Sequence, residues 1–276
     1  MRIATRTRVG LFVAGAAIIG YALGPVVWIA SLSLKGGDDI NNQKFFPTHV
    51  SWDNYTTVFH TALFTSALRN SIGIASIATA IALVFATCAA YATTRLEFPA
   101  RRWVMNFALA VTVFPAISIA TPLFNLWRTI GLYDTWPGLI IPYISLTLPI
   151  AMWTLSSYFR QIPRDLELAA QVDGASTWQA FRKVLVPLAA PGVFTTAIIA
   201  FLTAWNDFVF GITLTSTNHA RPVPAALAFF SGASQFQQPT GAISAAAVVV
   251  TVPVIVIVLA FQRQIVSGLT SGAVKG

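Results

Sequence analysis

A chain of 276 residues has room for one domain or two small ones, but this one is 56% hydrophobic and only 9% charged, with a mean hydropathy of +0.71. Soluble domains carry about 25% charged residues, so a water-solvated globule is excluded and lipid is the expected solvent. The net charge of +8 would suit an anionic partner such as nucleic acid, yet the basic residues form no single patch, and the lone Cys88 excludes an intrachain disulfide or a thiolate metal site.

Arg2, Arg6 and Arg8 precede an uncharged run from Val9 to Leu34. Signal peptides share that order, but their apolar cores hold about 7–15 residues. This run is long enough to span ~30 Å of hydrocarbon with some tilt, and it is read as a retained first span, 9–34. Lys35 to Phe64 then forms a polar loop whose Phe45, Phe46 and Trp52 suit an interface or a protein contact. A second span covers 71–94 and closes on the basic turn from Arg95 to Arg102. Cys88 lies inside it and is expected to be a small packing residue.

The third span, 103–126, carries Pro115 and Pro122, and the fourth, 138–159, carries Pro142 and Pro149. Proline breaks soluble helices, but membrane helices tolerate it when neighbours satisfy the freed carbonyls. A polar stretch fills 160–187, a fifth span covers 192–213, and a Pro-, Gln- and Ser-rich loop from Ser216 to Thr240 encloses a short apolar piece, Pro224–Phe230. The sixth span, 242–261, contains Pro253 and leads into a tail, 262–276. The expected architecture is an all-α integral membrane protein: one transmembrane domain over 1–276 with six helices.

Six spans place both termini on one side. If that side is the cytoplasm, it holds 12 of the 17 basic residues, as the positive-inside rule requires. Pro163–Pro187 then faces the cytoplasm. Within it Asp165–Val172 reads as a short helix, with Asp165 and Glu167 favoured by the dipole near its N-terminus. Gly174 is placed to end that helix, and Ser176-Thr-Trp-Gln179 fits a capping box opening a second. Ala169 and Ala170 leave a low-profile surface for another backbone to approach. On pattern alone this could equally be a solvated loop whose charges serve topology.

The stretch resembles the coupling loop of the permease subunits of binding-protein-dependent ABC importers. Their pattern is Glu-Ala-Ala, three residues, Gly, nine residues, then Ile-x-Leu-Pro. Ala169-Ala170, Gly174, Val184, Val186 and Pro187 stand at that spacing; Leu168 occupies the glutamate position, with Glu167 just before it. Further pieces resemble the carbohydrate-importing, MalG-like branch, and within it the SugB-type permeases of trehalose importers. These are Asn70-Ser71, Ala90-Tyr91-Ala92 with Arg95, Phe98 and Arg101, Gly131-Leu132-Tyr133-Asp134-Thr135, Trp205-Asn206-Asp207-Phe208 (Asp where the branch has Glu), and the tail from Gly268 to Gly276.

The resemblance implies a type I importer permease in a bacterial plasma membrane. It would pair with a second permease, receive a disaccharide (trehalose before others) from an extracytoplasmic binding protein, and be driven by two ATPase subunits or domains. ATPase coupling would fall to Asp165, Glu167, Leu168, Ala169, Ala170, Asp173, Gly174 and Ala175, and ATPase docking in the tail to Gly268, Thr270, Gly272 and Lys275. The chain has no G-x-x-x-x-G-K-[ST] loop, so ATP and Mg belong to the partner and no cofactor is expected here.

Asp207 is the one acidic residue inside an expected span, and such residues are functional candidates. On a continuous helix Thr203, Asn206, Asp207 and Phe210 share a face next to Trp205. That face either lines the sugar pathway or bonds to neighbouring helices. His49, His60 and His219 are too scattered for a metal site. A secondary transporter would want a relay of intramembrane ionisable groups, for which one Asp is thin support. A membrane hydrolase would want a nucleophile paired with an intramembrane His or a motif such as H-E-x-x-H, and neither is present. A nucleic-acid module would leave six apolar spans unexplained.

Overall fold

The computed structural model describes residues 5–42, 44–230 and 239–271. Among these the chain is helical, with one isolated bridge between Lys35 and Val50 in place of any strand. In order it forms α1 (Thr5–Ser33), a 3-10 turn (Gly37–Asn41), α2 (Asp53–His60), α3 (Ala62–Arg95), α4 (Arg101–Val111), α5 (Ala116–Ile130) and α6 (Trp136–Gln161). Then come α7 (Asp165–Val172), α8 (Thr177–Ala180), a π-helical turn (Phe181–Leu185), α9 (Val186–Leu188), α10 (Ala190–Trp205), α11 (Val209–Leu214), α12 (Val223–Ala228) and α13 (Thr240–Ser271).

Among the described residues, four helical stretches are long and apolar enough to cross a membrane: Gly10–Ser33, Ala62–Arg95, Trp136–Gln161 and Thr240–Gln262. Two more crossings arise if each of two bent pairs counts as one. The expected third span is not a single straight helix. It breaks between α4 and α5 with a bend of 91°, and Pro115 caps α5 in an extended conformation. Proline supplies no N–H to α4's ladder and pushes the residue before it out of helical geometry. The second bend, of 73°, lies where Thr177–Leu188 meets α10, just before the expected fifth span, and that span itself is interrupted at Asn206–Phe208, between α10 and α11. α3 begins at Ala62 rather than near Ser71, and the region read as a loop before it contains α2. α13 runs on through Ser271, past the expected end of the sixth span.

The described residues group into two compact units. In the first, Met1–Thr65 with Phe229–Pro253, a polar knot closes the end of α1. Asn54 donates to the carbonyls of Ser33 (3.0 Å) and Lys35 (2.6 Å), and a Cβ on Gly241 would collide with the Asn54 amide. Lys35 is fully buried; its ammonium donates to Asn42 Oδ1 (3.0 Å) and the Lys44 carbonyl (2.6 Å) and sits 5.2 Å from the Trp28 ring centroid. Hydrogen bonds from Thr48, and from Asn42 beside it, hold the Asp39 carboxyl below its ordinary pKa. The aromatics expected at an interface partly serve this knot, with the Phe45 ring against both Trp28 and Phe46.

In the second unit, Ser66–Ala228 with Val254–Gly276, α3 buries a stripe of small residues: Ala67, Ser71, Ala75, Ala78, Ala82, Ala86 and Ala90. Spacing of three and four puts them on one face, and their size lets neighbouring helices approach closely. Ala86 and Ala90 pack in one cluster with Leu155 and Phe159 of α6 and with Phe181, Leu185 and Ala189 after α8. α6 and α10 meet at Gly192, where any Cβ would lie about 2.4 Å from the Tyr158 ring. Cys88, expected as a packing residue, is exposed on α3.

One end of this unit is locked by the turn between α5 and α6. Trp136 Nε1 donates to Asn70 Oδ1 (3.0 Å) and the His219 carbonyl (3.2 Å), while Asn70 Nδ2 donates to the carbonyls of Asn218 and Arg221. Ser71 Oγ accepts from the Val223 N–H at 2.8 Å, and Asp134 accepts from the N–H groups of Ser216 and Thr217. Two of the motifs singled out in the sequence, Asn70-Ser71 and Gly131–Thr135, thus supply latch residues.

Candidate functional site

The polar stretch 163–187 forms an ordered helical hairpin. α7 spans Asp165–Val172, as its pattern predicts, and Gly174 follows with φ +90°, the left-handed region where a Cβ is disfavoured. Its N–H bonds to the Gln171 carbonyl and that of Ala175 to Ala170, closing the end of α7. The capping box forms: Gln179 N–H donates to Ser176 Oγ (3.3 Å) and Ser176 N–H to Gln179 Oε1 (2.8 Å). Phe181 then makes tilted ring contacts with Trp178 and with Tyr91 of α3, pinning the second arm to α3.

Glu167 does not face outward with its neighbours. It is buried, and its carboxylate pairs with Arg95 at the end of α3, Nε to Oε1 2.6 Å. The same guanidinium donates through Nη2 to the carbonyls of Phe159 (2.8 Å) and Ile162 (2.7 Å), at the end of α6. One arginine therefore gathers α3, α6 and α7 into a joint. Glu167, named among the expected ATPase-coupling residues, thus holds the hairpin to its own unit. The helix then turns Asp165, Leu166, Leu168, Ala169 and Val172 to the outside, with Asp173 and Gly174 beyond them, while Ala170 and Ala175 are half-buried. Val172 is 88% exposed and Trp178 61%, an apolar surface that water alone would disfavour. In the sequence Arg95 stands in a basic turn and a short motif, and its role here was invisible because its partners lie far along the chain.

The second candidate group is split. α10 ends at Trp205, and Asn206 caps it with its own Nδ2 donating back to the Leu202 carbonyl at 2.8 Å. The shared face of Thr203, Asn206, Asp207 and Phe210 required a continuous helix, so that expectation is corrected. Asp207 Oδ2 instead accepts from Tyr143 Oη (3.0 Å) on α6 and from the Gly211 N–H (3.0 Å) at the start of α11. Thr203 and Phe210 line a mainly apolar cavity of about 300 Å³ with Phe114, Leu146 and Ile150, which Asn206 and Asp207 do not reach. Trp205 is buried at 3% exposure against Phe201, so it offers no ring face to a ligand. Asn206 and Phe208 are the exposed residues of the break, and Phe208 was not singled out beforehand. Its signal was available only as the fourth letter of Trp-Asn-Asp-Phe.

In the tail, Gly268 and Thr270 belong to the last turns of α13, whereas Gly272 and Lys275 lie outside the described residues. Among the described residues no group of three or more His, Cys, Asp or Glu is placed to hold a metal ion.

Comparison with known proteins adds independent findings. The family model described as "Binding-protein-dependent transport system inner membrane component" matches residues 78–271. The chain is 58% identical over 259 residues to the trehalose transport system permease protein SugB of Mycobacterium tuberculosis, covering 94% of each chain. It is 37% identical to the trehalose/maltose transport system permease protein MalG of Thermococcus litoralis, covering 96% of each. A crystal structure of a bacterial ABC transporter that imports the acidic polysaccharide alginate contains a chain similar in fold, with TM-score 0.79 and 23% identity over 95% of this chain and 99% of that one. The apolar crossings, the hairpin joined to them by Arg95 and these matches agree, and the chain belongs to the inner-membrane permease components of binding-protein-dependent ABC transport systems, which are transport subunits and not enzymes.

Proposed function

We propose that this permease forms half of an alternating-access pathway for a disaccharide, trehalose first among the candidates, delivered by an extracytoplasmic binding protein. The termini and the α7–α8 hairpin face the cytoplasm, where a partner ATPase grips the hairpin and supplies ATP and Mg chemistry that this chain lacks. The observation that carries the reading is the hairpin itself: an outward face of Leu166, Leu168, Ala169 and Val172 on a helix fastened to two spanning helices by the Arg95–Glu167 pair. Force applied to α7 has a stiff route into α3 and α6. The named relatives' substrates favour trehalose, and the overall identity supports carrying that class to this chain.

The exposed break at Asn206 and Phe208 combines an amide with an aromatic ring, the pair of surfaces a sugar requires, and is the proposed sugar-facing part of this subunit. The test is ATP hydrolysis by the full transporter in lipid discs, with binding protein presented empty or loaded with trehalose, maltose or another disaccharide. Trehalose-loaded protein is expected to stimulate hydrolysis, and Phe208→Ala to cut trehalose uptake more than basal hydrolysis. Absence of stimulation by every disaccharide would remove the sugar-importer reading, and an unchanged Phe208→Ala would remove the break from the pathway.

A further inference from the structure

A cavity of about 370 Å³ in the second unit is lined by Thr93 and Thr94 of α3, Arg101, Arg102, Met105 and Asn106 of α4, and Arg160 of α6. Three arginines from two helices line it. Among the described residues none of the three lies within ion-pair distance of a carboxylate, and Glu97, in the turn just before α4, pairs with none of them. The threonine hydroxyl protons are already committed, Thr93 to the Ala89 carbonyl and Thr94 to that of Ala90. The donors left for a ligand are the arginines and the Asn106 amide.

Three like charges around one hollow repel one another unless an anion joins them. The guanidinium is a planar fork of fixed N–H donors that matches phosphate oxygens two at a time. Beside its two arginines, α4 exposes Trp103 (76%) and Phe107 (73%), giving an apolar surface next to the cationic one. A soluble anion has no use for that apolar neighbour, whereas a phospholipid has both a phosphate and acyl chains. Aromatic and basic residues side by side also mark the level of the headgroups in membrane proteins. We propose that this cavity binds the phosphate of an anionic phospholipid headgroup, with Arg101, Arg102 and Arg160 as its ligands. The site sits against the last turns of α3 and α6, next to the Arg95 joint, so an occupied cavity would brace the end of the bundle that carries the hairpin.

The experiment uses the full chain co-purified with its partner subunits and titrated with phosphatidylglycerol, phosphatidylcholine or inorganic phosphate, with retained lipid counted by native mass spectrometry. Phosphatidylglycerol is expected to be retained preferentially. Each arginine lost should weaken retention about fivefold, and Arg101→Gln/Arg102→Gln/Arg160→Gln together about a hundredfold. The charge-preserving triple lysine variant should keep an intermediate share. Should the triple glutamine variant fail to assemble, Arg160→Gln alone, at an exposed position, carries the fivefold test. Equal retention by the parent and glutamine variants would overturn the site. Retention of inorganic phosphate with no preference for phosphatidylglycerol over phosphatidylcholine would overturn the lipid as its source.

Discussion

At the scale of single residues, the sharpest result is that Glu167 and Arg95 form a buried pair, with their side chains only 6% and 10% exposed. Removing one member of such a pair leaves the other charge buried and uncompensated, typically at a cost of about 3–5 kcal/mol. Glu167→Ala is therefore expected to loosen α7 from α3 and α6 while leaving the spanning helices inserted. Hydrogen exchange across residues 163–187 would read this as lost protection, accompanied by ATP hydrolysis that no longer follows sugar uptake. Unchanged protection would mean that the pair is incidental to the hairpin. Gly174 acts on the same piece by a different route. Nothing lies within 4 Å of a Cβ there, so its constraint is the backbone angle and not crowding.

At the scale of elements, the crossings hold together through close helix approach more than through large side chains. The alanine stripe of α3 and the contact of Gly192 with Tyr158 both depend on missing bulk. A leucine at 192 would drive its Cβ into the Tyr158 ring, and overpacking a close contact costs about 1–3 kcal/mol. Gly192→Leu is expected to separate α10 from α6 and lower the thermal midpoint of the purified transporter, whereas Gly174→Ala should move that midpoint less. A midpoint unaffected by leucine would show that α10 can shift freely against α6. The break before α5 and the break after α10 belong here as well. α4 turns from α5 at Pro115, and α10 stops before Asn206, so the polar break at Asn206–Phe208 is held by hydrogen bonds to Asp207 rather than by a continuing helix.

At the scale of the whole molecule, 12 basic residues against 5 determine the proposed orientation. With reporter domains fused after Gly276 and inserted near Gly174, only the cytoplasm-active reporter is expected to signal. A reporter inserted near Asn218 should give the opposite pattern, and matching signals at Gly174 and Asn218 would reject the topology. Much of this level was legible beforehand. Long uncharged runs announce crossings because lipid offers no partner for backbone polar groups, which must be satisfied within a helix. The hairpin was also legible in outline, since Gly174 and the Ser176–Gln179 box are local signals that need only a few neighbouring residues.

The rest depended on residues meeting across the chain. Periodicity could place Thr203, Asn206, Asp207 and Phe210 on one face only by assuming an unbroken helix, and α10 ends at Trp205. Trp205 read as an available aromatic ring until packing against Phe201 buried it. That Glu167 turns inward was not legible, because helix spacing says which residues share a face, not which face is buried. By itself, the sequence determined the solvent, the apolar crossings and the local caps, all of which follow from composition and near neighbours. Only the tertiary structure decided where the helices break, which charge Arg95 neutralises and which three arginines share a cavity, because those outcomes depend on side chains that the fold brings together from distant positions.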